Sequence, residues 1–260
     1  MNLAVDGFDT FVATGGRPLD PALPAIVFLH GAGFDHTIWA LPARWFAHHG
    51  HGVLAPDLPG HGRSKGAALA SIGDLAGWCA RLLDAAGIAR ARLVGHSMGA
   101  LIALEAAARH PDRVAGITLI GAAASMKVSP DLLGAADANH HDAVDMVSIW
   151  GFGYRAGLGG SQSPGLWMLG GGERVLERTA PGVLHNDLAA CNAYDGALAA
   201  AAKVSCPATL ILGQRDMMTP LKSGLQLADA ITHARRVVLP GAGHMMMTER
   251  PDDVLAALTS

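Results

Sequence analysis

Cysteine is nearly absent from this 260-residue chain. The three present, Cys79, Cys191 and Cys206, are odd in number and form no Cys-x-x-Cys pair. That argues against a disulfide framework and a cysteine-based zinc site, and it points to a reducing compartment, hence a cytoplasmic location. Charge is sparse as well: 16% of residues are charged, the formal balance is −3, and no basic block occurs. A nucleic-acid-binding face therefore lacks its electrostatic footprint. No run reaches the roughly 18 unbroken apolar residues of a membrane span. Met1-Asn2-Leu3-Ala4-Val5-Asp6 lacks the basic-then-apolar order of a secretory leader. Internal repeats and low-complexity linkers are missing too.

What the chain has is hydrophobic residues, half of the total, and 33 glycines. That length and apolar content suit one large domain, and the glycines suit many tight strand-to-helix turns. Ile26 to Leu29, Val53 to Ala55, Leu93 to Val94, Ile117 to Ile120, Thr209 to Leu212 and Val237 to Leu239 read as buried strands. Several lack polar alternation, as expected of a parallel sheet covered by helices on both faces. Phe8, Phe11 and Val12 suggest an additional antiparallel edge hairpin. Between strands the period becomes helical. Ser71 and Asp74 make a capping-box-like start, Ile72, Leu75, Cys79, Leu82 and Ala86 follow at helical spacing, and Gly87 supplies a left-handed stop. Met98 to Ala108 is apolar nearly all round except Glu105, which predicts a buried helix. The expected fold is α/β: a mostly parallel central sheet with helices on both faces.

The alternation breaks after Gly121 and resumes at Ala208. Residues 122–203 are rich in Gly, Met and Trp and show no strand run. They read as a mainly helical insertion, with residues 1–121 and 204–260 as the core. In open α/β sheets ligands sit beyond the carboxyl ends of the strands, so an apolar, glycine-hinged insertion there has the place of a lid.

Gly95-His96-Ser97-Met98-Gly99 fits G-x-S-x-G. The pattern alone is weak, but it follows a predicted strand and opens the predicted buried helix, which is the strand–turn–helix setting the motif needs. Ser97 would sit at a helix N-terminus, where the dipole favours developing negative charge. His30-Gly31-Ala32-Gly33 follows an earlier strand. Its glycines let backbone N–H groups turn toward a bound carbonyl, with Ala32 and Met98 as the two expected oxyanion donors. His30 itself is expected to brace the loop and transfer no proton.

Two later strands each lead to a residue with the chemistry a serine nucleophile requires. Gly213-Gln214-Arg215-Asp216 supplies an acid, and Gly241-Ala242-Gly243-His244 supplies a base, in the order Ser, Asp, His. His244 would take the Ser97 proton and Asp216 would hold the imidazole tautomer. Thirteen histidines compete for the role of base. His48, His49 and His51, and His140 with His141, have poor spacing for a metal and no cysteine support, so no metal and no cofactor are expected. His185 and Asp187 form a weaker second pair, better read as a solvated helix face. Asp195 has no strand context. The Gly159–Gly172 stretch lacks the phosphate-loop pattern.

Together with Asp57-Leu58-Pro59-Gly60-His61-Gly62-Arg63-Ser64, these segments resemble the α/β-hydrolase superfamily over nearly the whole chain. They are most similar to small bacterial serine carboxylesterases and enol-lactonases with a helical cap, to whose cap helix Leu184 to Asn192 is similar. The resemblance implies that Asp57 and Arg63 tie their loop. It also implies hydrolysis of a small-molecule carboxylic ester through an acyl-enzyme. Lactone, thioester and carbon–carbon substrates remain alternatives on the same residues, and a ligand receptor is a further one. Ser97, in place of an aspartate nucleophile, argues against dehalogenase and epoxide-hydrolase chemistry. Phe34, Trp39, Trp150, Trp167 and Met245 are candidates for substrate binding, with Met98, Met126 and Met246 as further candidates to line the pocket. No lysine or arginine other than Arg215 adjoins a predicted catalytic residue, which argues against strongly anionic acyl groups. The oligomeric state is not encoded in any of these features.

Overall fold

The computed structural model describes residues 1–160 and 167–260; residues 161–166, part of the predicted insertion, lie outside them. The amino-terminal hairpin joins β1 (Asn2–Val5) to β2 (Phe8–Ala13) through Asp6 and Gly7, both at positive φ (53° and 82°). Two left-handed residues in a row are what a two-residue hairpin turn requires. The predicted apolar runs become β3 (Ala25–Leu29), β4 (Gly52–Pro56), β5 (Ala91–His96), β6 (Val114–Ile120), β7 (Ala208–Gly213) and β8 (Arg235–Leu239). They form one eight-stranded sheet of order β1-β2-β4-β3-β5-β6-β7-β8, antiparallel at the hairpin and at β2–β4, parallel elsewhere.

Among the described residues the helices are α1 (Ala40–Ala47), α2 (Ile72–Ala85), α3 (Met98–Arg109), α4 (Pro130–Asp137), α5 (Asp142–Gly151), α6 (Tyr154–Gly157), α7 (Met168–Leu176), α8 (Val183–Ala193), α9 (Ala197–Ala201), α10 (Leu221–Ala230), α11 (Met246–Glu249) and α12 (Pro251–Thr259). The predicted start of α2 is built as expected. Ser71 Oγ accepts the Asp74 N–H at 3.0 Å, and Gly87 turns left-handed just past the other end (φ 68°). None of the described helices is long and apolar enough to cross a membrane.

The sheet divides the core in two. Val27, Leu29, Leu54 and Leu93 face α2, α3, α9 and α10, while Ile26, Phe28, Val53 and Val94 face α1 and α12. This is the period-two alternation of a pleated strand, with both faces apolar because both are covered. Each such side chain contributes about 1.5–3 kcal/mol on full burial. β8 departs from expectation: among the described residues it pairs only with β7, and Arg235, Arg236 and Val238 are exposed. Its apolar run is that of an edge strand half covered by α12.

Between β6 and β7 the chain is helical, with no strand among the described residues. α4, α5, α7 and α8 pack on one another and share an apolar cluster with Met245, Met246 and Met247 beyond the end of β8. α9 differs. Its Ala197, Ala200 and Ala201 are buried with α3 and α10 in the layer against the sheet. α9 thus packs on the sheet layer although it falls within the predicted insertion of residues 122–203.

Candidate active site

Ser97 stands between β5 and α3 with φ 54° and ψ −117°. A non-glycine residue there is strained, and the surroundings fix it. Its N–H donates to the Ile120 carbonyl at 2.9 Å, and the turn is too tight for side chains on either side. A β-carbon on Gly95 would run into the Gly99 carbonyl, and one on Gly99 into the Leu29 and His30 carbonyls. The glycines of the motif are thus steric requirements of the elbow.

His244 and Asp216 lie together past the ends of β8 and β7. Nδ1 of His244 is 2.8 Å from Asp216 Oδ2, both side chains being almost fully buried. Asp216 is held in turn by the N–H groups of Met218 (2.9 Å) and Thr219 (2.7 Å) on Oδ1 and by the Thr219 hydroxyl (2.7 Å) on Oδ2. Burial pushes its pKa up, but the His244 partnership and the Thr219 donors outweigh burial and hold the carboxyl below the usual range. A carboxylate accepting at Nδ1 leaves Nε2 as the ring's lone-pair nitrogen. That Nε2 is buried and makes no hydrogen bond among the described residues. Gly121, at φ 60°, runs directly beneath the ring: a β-carbon there would stand 2.9 Å from His244 Cε1.

The loop after β3 lies against Ser97. A β-carbon on Gly31 would stand 3.2 Å from Ser97 Cβ and 3.0 Å from His96 Nδ1. His30 braces this loop as expected. Its Nε2 accepts the Leu58 N–H at 3.0 Å, and Nδ1 donates to the Gly31 carbonyl at 2.9 Å. Burial, aided by nearby His61, pulls its pKa down to about 4, so the ring is neutral. Among the described residues, the N–H groups of Ala32 and Met98 donate to no protein acceptor.

A cavity of about 200 Å³ opens over Ser97 and His244. Its walls are apolar, built from Phe34 of the β3 loop, from Leu132, Val147, Trp150 and Leu188 of the insertion, and from Met218 and Met245. The Alpha/beta hydrolase family profile matches residues 26–258. The chain belongs to the alpha/beta hydrolase family. Pimeloyl-[acyl-carrier protein] methyl ester esterase of Chromobacterium violaceum is 31% identical to it over 90% of this chain and 92% of that protein. The enol-lactonase from Burkholderia xenovorans LB400 superposes with a TM-score of 0.87 at 28% identity, covering 100% of this chain and 98% of the other. A putative non-heme haloperoxidase of Mycobacterium phage D29 is 33% identical, but the match spans 58% of this chain and only 49% of that protein.

For this alpha/beta hydrolase the pocket corrects several sequence expectations. Phe34, Met126, Trp150 and Met245 line it. Trp39 does not: it is fully buried under the sheet, its ring 5.3 Å from that of Phe28. Trp167 is 67% exposed and borders a separate cleft beside Phe152 and Met168. Met98 and Met246 are core residues on opposite sides of the sheet. Lys127, which adjoins none of Ser97, Asp216 and His244 in sequence, stands exposed in the lining, its Nζ donating to the Asn192 carbonyl near the end of α8 at 2.6 Å.

Asp187 is the largest correction. It is 1% exposed, with no solvated face, and Oδ2 accepts the Gly33 N–H at 2.9 Å and His61 Nε2 at 2.7 Å. His185, two residues earlier on α8, turns away to Asp137 at 3.3 Å. Glu249, which no motif flagged, is buried and accepts the N–H groups of Gly153 and Gly243 at 3.1 and 3.0 Å, joining the insertion to the His244 loop. Burial raises its pKa despite those donors. Asp57 ties its loop as expected, but through the backbone N–H of Arg63 (2.9 Å) and through His36. The Arg63 guanidinium lies 3.8 Å over the Phe11 ring.

Asp35, His36 and Asp57 bring potential metal-ligand atoms within 4.8 Å of one another. Thr37, Arg178, His36 and Arg63 already donate to all four carboxylate oxygens, so the group reads as a hydrogen-bonded tie. Cys79, Cys191 and Cys206 are buried and unpaired, and burial pushes the Cys79 thiol to about 12, which leaves it unreactive.

Proposed function

We propose that this chain is a serine hydrolase cleaving carboxylic esters of small to medium, largely apolar substrates through an acyl-enzyme on Ser97. The observation that carries the reading is the strained Ser97 at the start of α3, beneath an apolar cavity whose wall also holds a carboxylate-anchored His244. Ser97 Oγ attacks the ester carbonyl while His244 Nε2 takes its proton; the same nitrogen then returns the proton to the leaving alkoxide. Asp216 keeps Nδ1 as the donor and stabilises the imidazolium. The oxyanion is received by the N–H groups of Ala32 and Met98 at the positive end of α3. A water activated by His244 then releases the acid and restores Ser97. The insertion acts as a cap, excluding water from the cavity it walls, and the reaction needs no cofactor. The unpaired cysteines suit a cytoplasmic location.

Turnover of nitrophenyl esters from acetate to palmitate tests this reading. Hydrolysis with a short- to medium-chain optimum, abolished in Ser97→Ala, supports it; inertness toward every ester overturns it. The similarity to an enol-lactonase favours one second reading, a lactone substrate opened by the same acyl transfer. A lactone panel run beside the esters separates the two by kcat/KM.

A further inference from the structure

The insertion grips Gly33 on both sides of its backbone. The Gly33 N–H donates to Asp187 Oδ2 at 2.9 Å, and its carbonyl accepts the Thr179 hydroxyl at 2.5 Å. Gly33 is at φ 67°, and a β-carbon there would meet Leu184 and Leu176 of α8 and α7 at 2.8 and 3.1 Å. Asp187 is braced from behind by His61, itself buried, whose Nδ1 faces the Pro59 carbonyl and whose ring lies 4.9 Å from that of His30. Burial pulls the His61 pKa down, but the Asp187 charge and hydrogen bond outweigh it and raise it.

This grip reaches the neighbouring peptide planes. Thr179 fixes the plane containing the Gly33 carbonyl and the Phe34 N–H. That N–H donates to the Gly31 carbonyl at 3.2 Å. The Gly31 carbonyl shares a rigid plane with the Ala32 N–H, so the direction of that donor follows from where the insertion holds Gly33.

We propose that Asp187 and Thr179 are positioning residues that make the Ala32 oxyanion donor dependent on the seated insertion, so that α8 and the Thr179 turn complete the catalytic geometry as well as covering the pocket. The proposal rests on the serine-hydrolase reading. Donors aimed at charge that appears only in the transition state alter kcat rather than ground-state binding. A brace that merely held the fold together would lower the melting temperature and leave kcat in place.

The test compares wild type, Asp187→Asn, Thr179→Val, His185→Ala and Ser97→Ala on p-nitrophenyl butyrate, with melting temperatures measured alongside. Affinity for an alkyl trifluoromethyl ketone, whose adduct with serine carries an oxyanion, is measured in parallel. Asp187→Asn and Thr179→Val are expected to lower kcat about ten- to a hundredfold, less than the roughly 10²–10³ lost with a deleted donor, and to weaken the ketone in parallel. KM should stay within about twofold, the signature of an interaction made only in the transition state, and His185→Ala should match wild type. If Asp187→Asn does not fold, Thr179→Val, which removes one hydroxyl and no charge, decides alone. Wild-type kcat and ketone affinity in folded Thr179→Val, with Ser97→Ala inactive, overturns the proposal. Activity persisting in Ser97→Ala overturns the underlying reading instead.

Discussion

The imidazole rings of His96 and His244 lie 4.6 Å apart, and His96 Nε2 donates to the His244 carbonyl at 3.0 Å. That bond leaves His96 Nδ1 as a buried acceptor without a partner among the described residues. Burial, reinforced by His244, pulls the His96 pKa to about 3, so no second positive charge accompanies a protonated His244. His30, pulled to about 4, behaves alike.

These two rings set a pH dependence of stability. Below about 6.5 the unfolded rings bind protons that the native rings refuse, so stability falls with pH at about 1.4 kcal/mol per unit for each ring. Glu249, with its raised pKa, binds a proton in the native state first and offsets part of that slope just above its ordinary range. His61 acts oppositely to His30 and His96: its raised pKa gives stability present below about 6.5 and lost as pH rises through the native value. Denaturant titrations from pH 4 to 9 should therefore peak near neutrality. Replacing His96 by Gln should flatten the acid side.

Asp216→Asn preserves shape but lets His244 adopt the wrong tautomer, a change that costs about 10⁴ in kcat where the same arrangement operates. Thr219→Val removes one donor to Oδ2 and leaves the Thr219 N–H on Oδ1. A loss of about tenfold, equivalent to one ordinary hydrogen bond, is expected. Steady-state kinetics on one ester ranks the two variants.

Gly121 and Gly87 both have positive φ, but a β-carbon on Gly121 would run into His244, whereas one on Gly87 would meet nothing within 4 Å. Alanine at either position should cost about 1–2 kcal/mol through the left-handed backbone. Gly121→Ala should also lower kcat by pushing the imidazole aside. Melting temperature and kcat measured on both variants separate strain from displacement.

Among the described residues, Lys127 is the one lysine or arginine in the lining of a mostly apolar pocket. Lys127→Met should lower kcat/KM severalfold for monoesters of dicarboxylic acids and leave neutral esters of equal length unchanged. The difference should shrink with added salt, because the side chain is exposed.

Much of the arrangement was legible because backbone sterics write themselves into glycine spacing. Gly95 and Gly99 mark the elbow, and the apolar runs before Ser97, Asp216 and His244 mark the strands that carry them. What stayed hidden depends on contacts distant in sequence. Asp187 meets Gly33 across 154 residues and His61 across 126, and on its own helix it looks like any polar residue. The Glu249 carboxylate binds backbone N–H groups, which carry no residue signature, and Thr219 holds Asp216 through its own N–H and hydroxyl, a pairing that no motif marks. Trp39 and Trp167 show the converse limit, since a large aromatic near a site is equally suited to the core or to a surface cleft. For β8 the composition of an edge strand and that of a buried one differ too little to tell apart.

The most direct measurement is mass spectrometry of the protein after reaction with a p-nitrophenyl alkylphosphonate, followed by peptide mapping. One stoichiometric adduct is expected on the peptide containing Ser97, absent in Ser97→Ala and formed far more slowly in His244→Ala. An adduct elsewhere, or none at full ester turnover, would contradict Ser97 as the nucleophile.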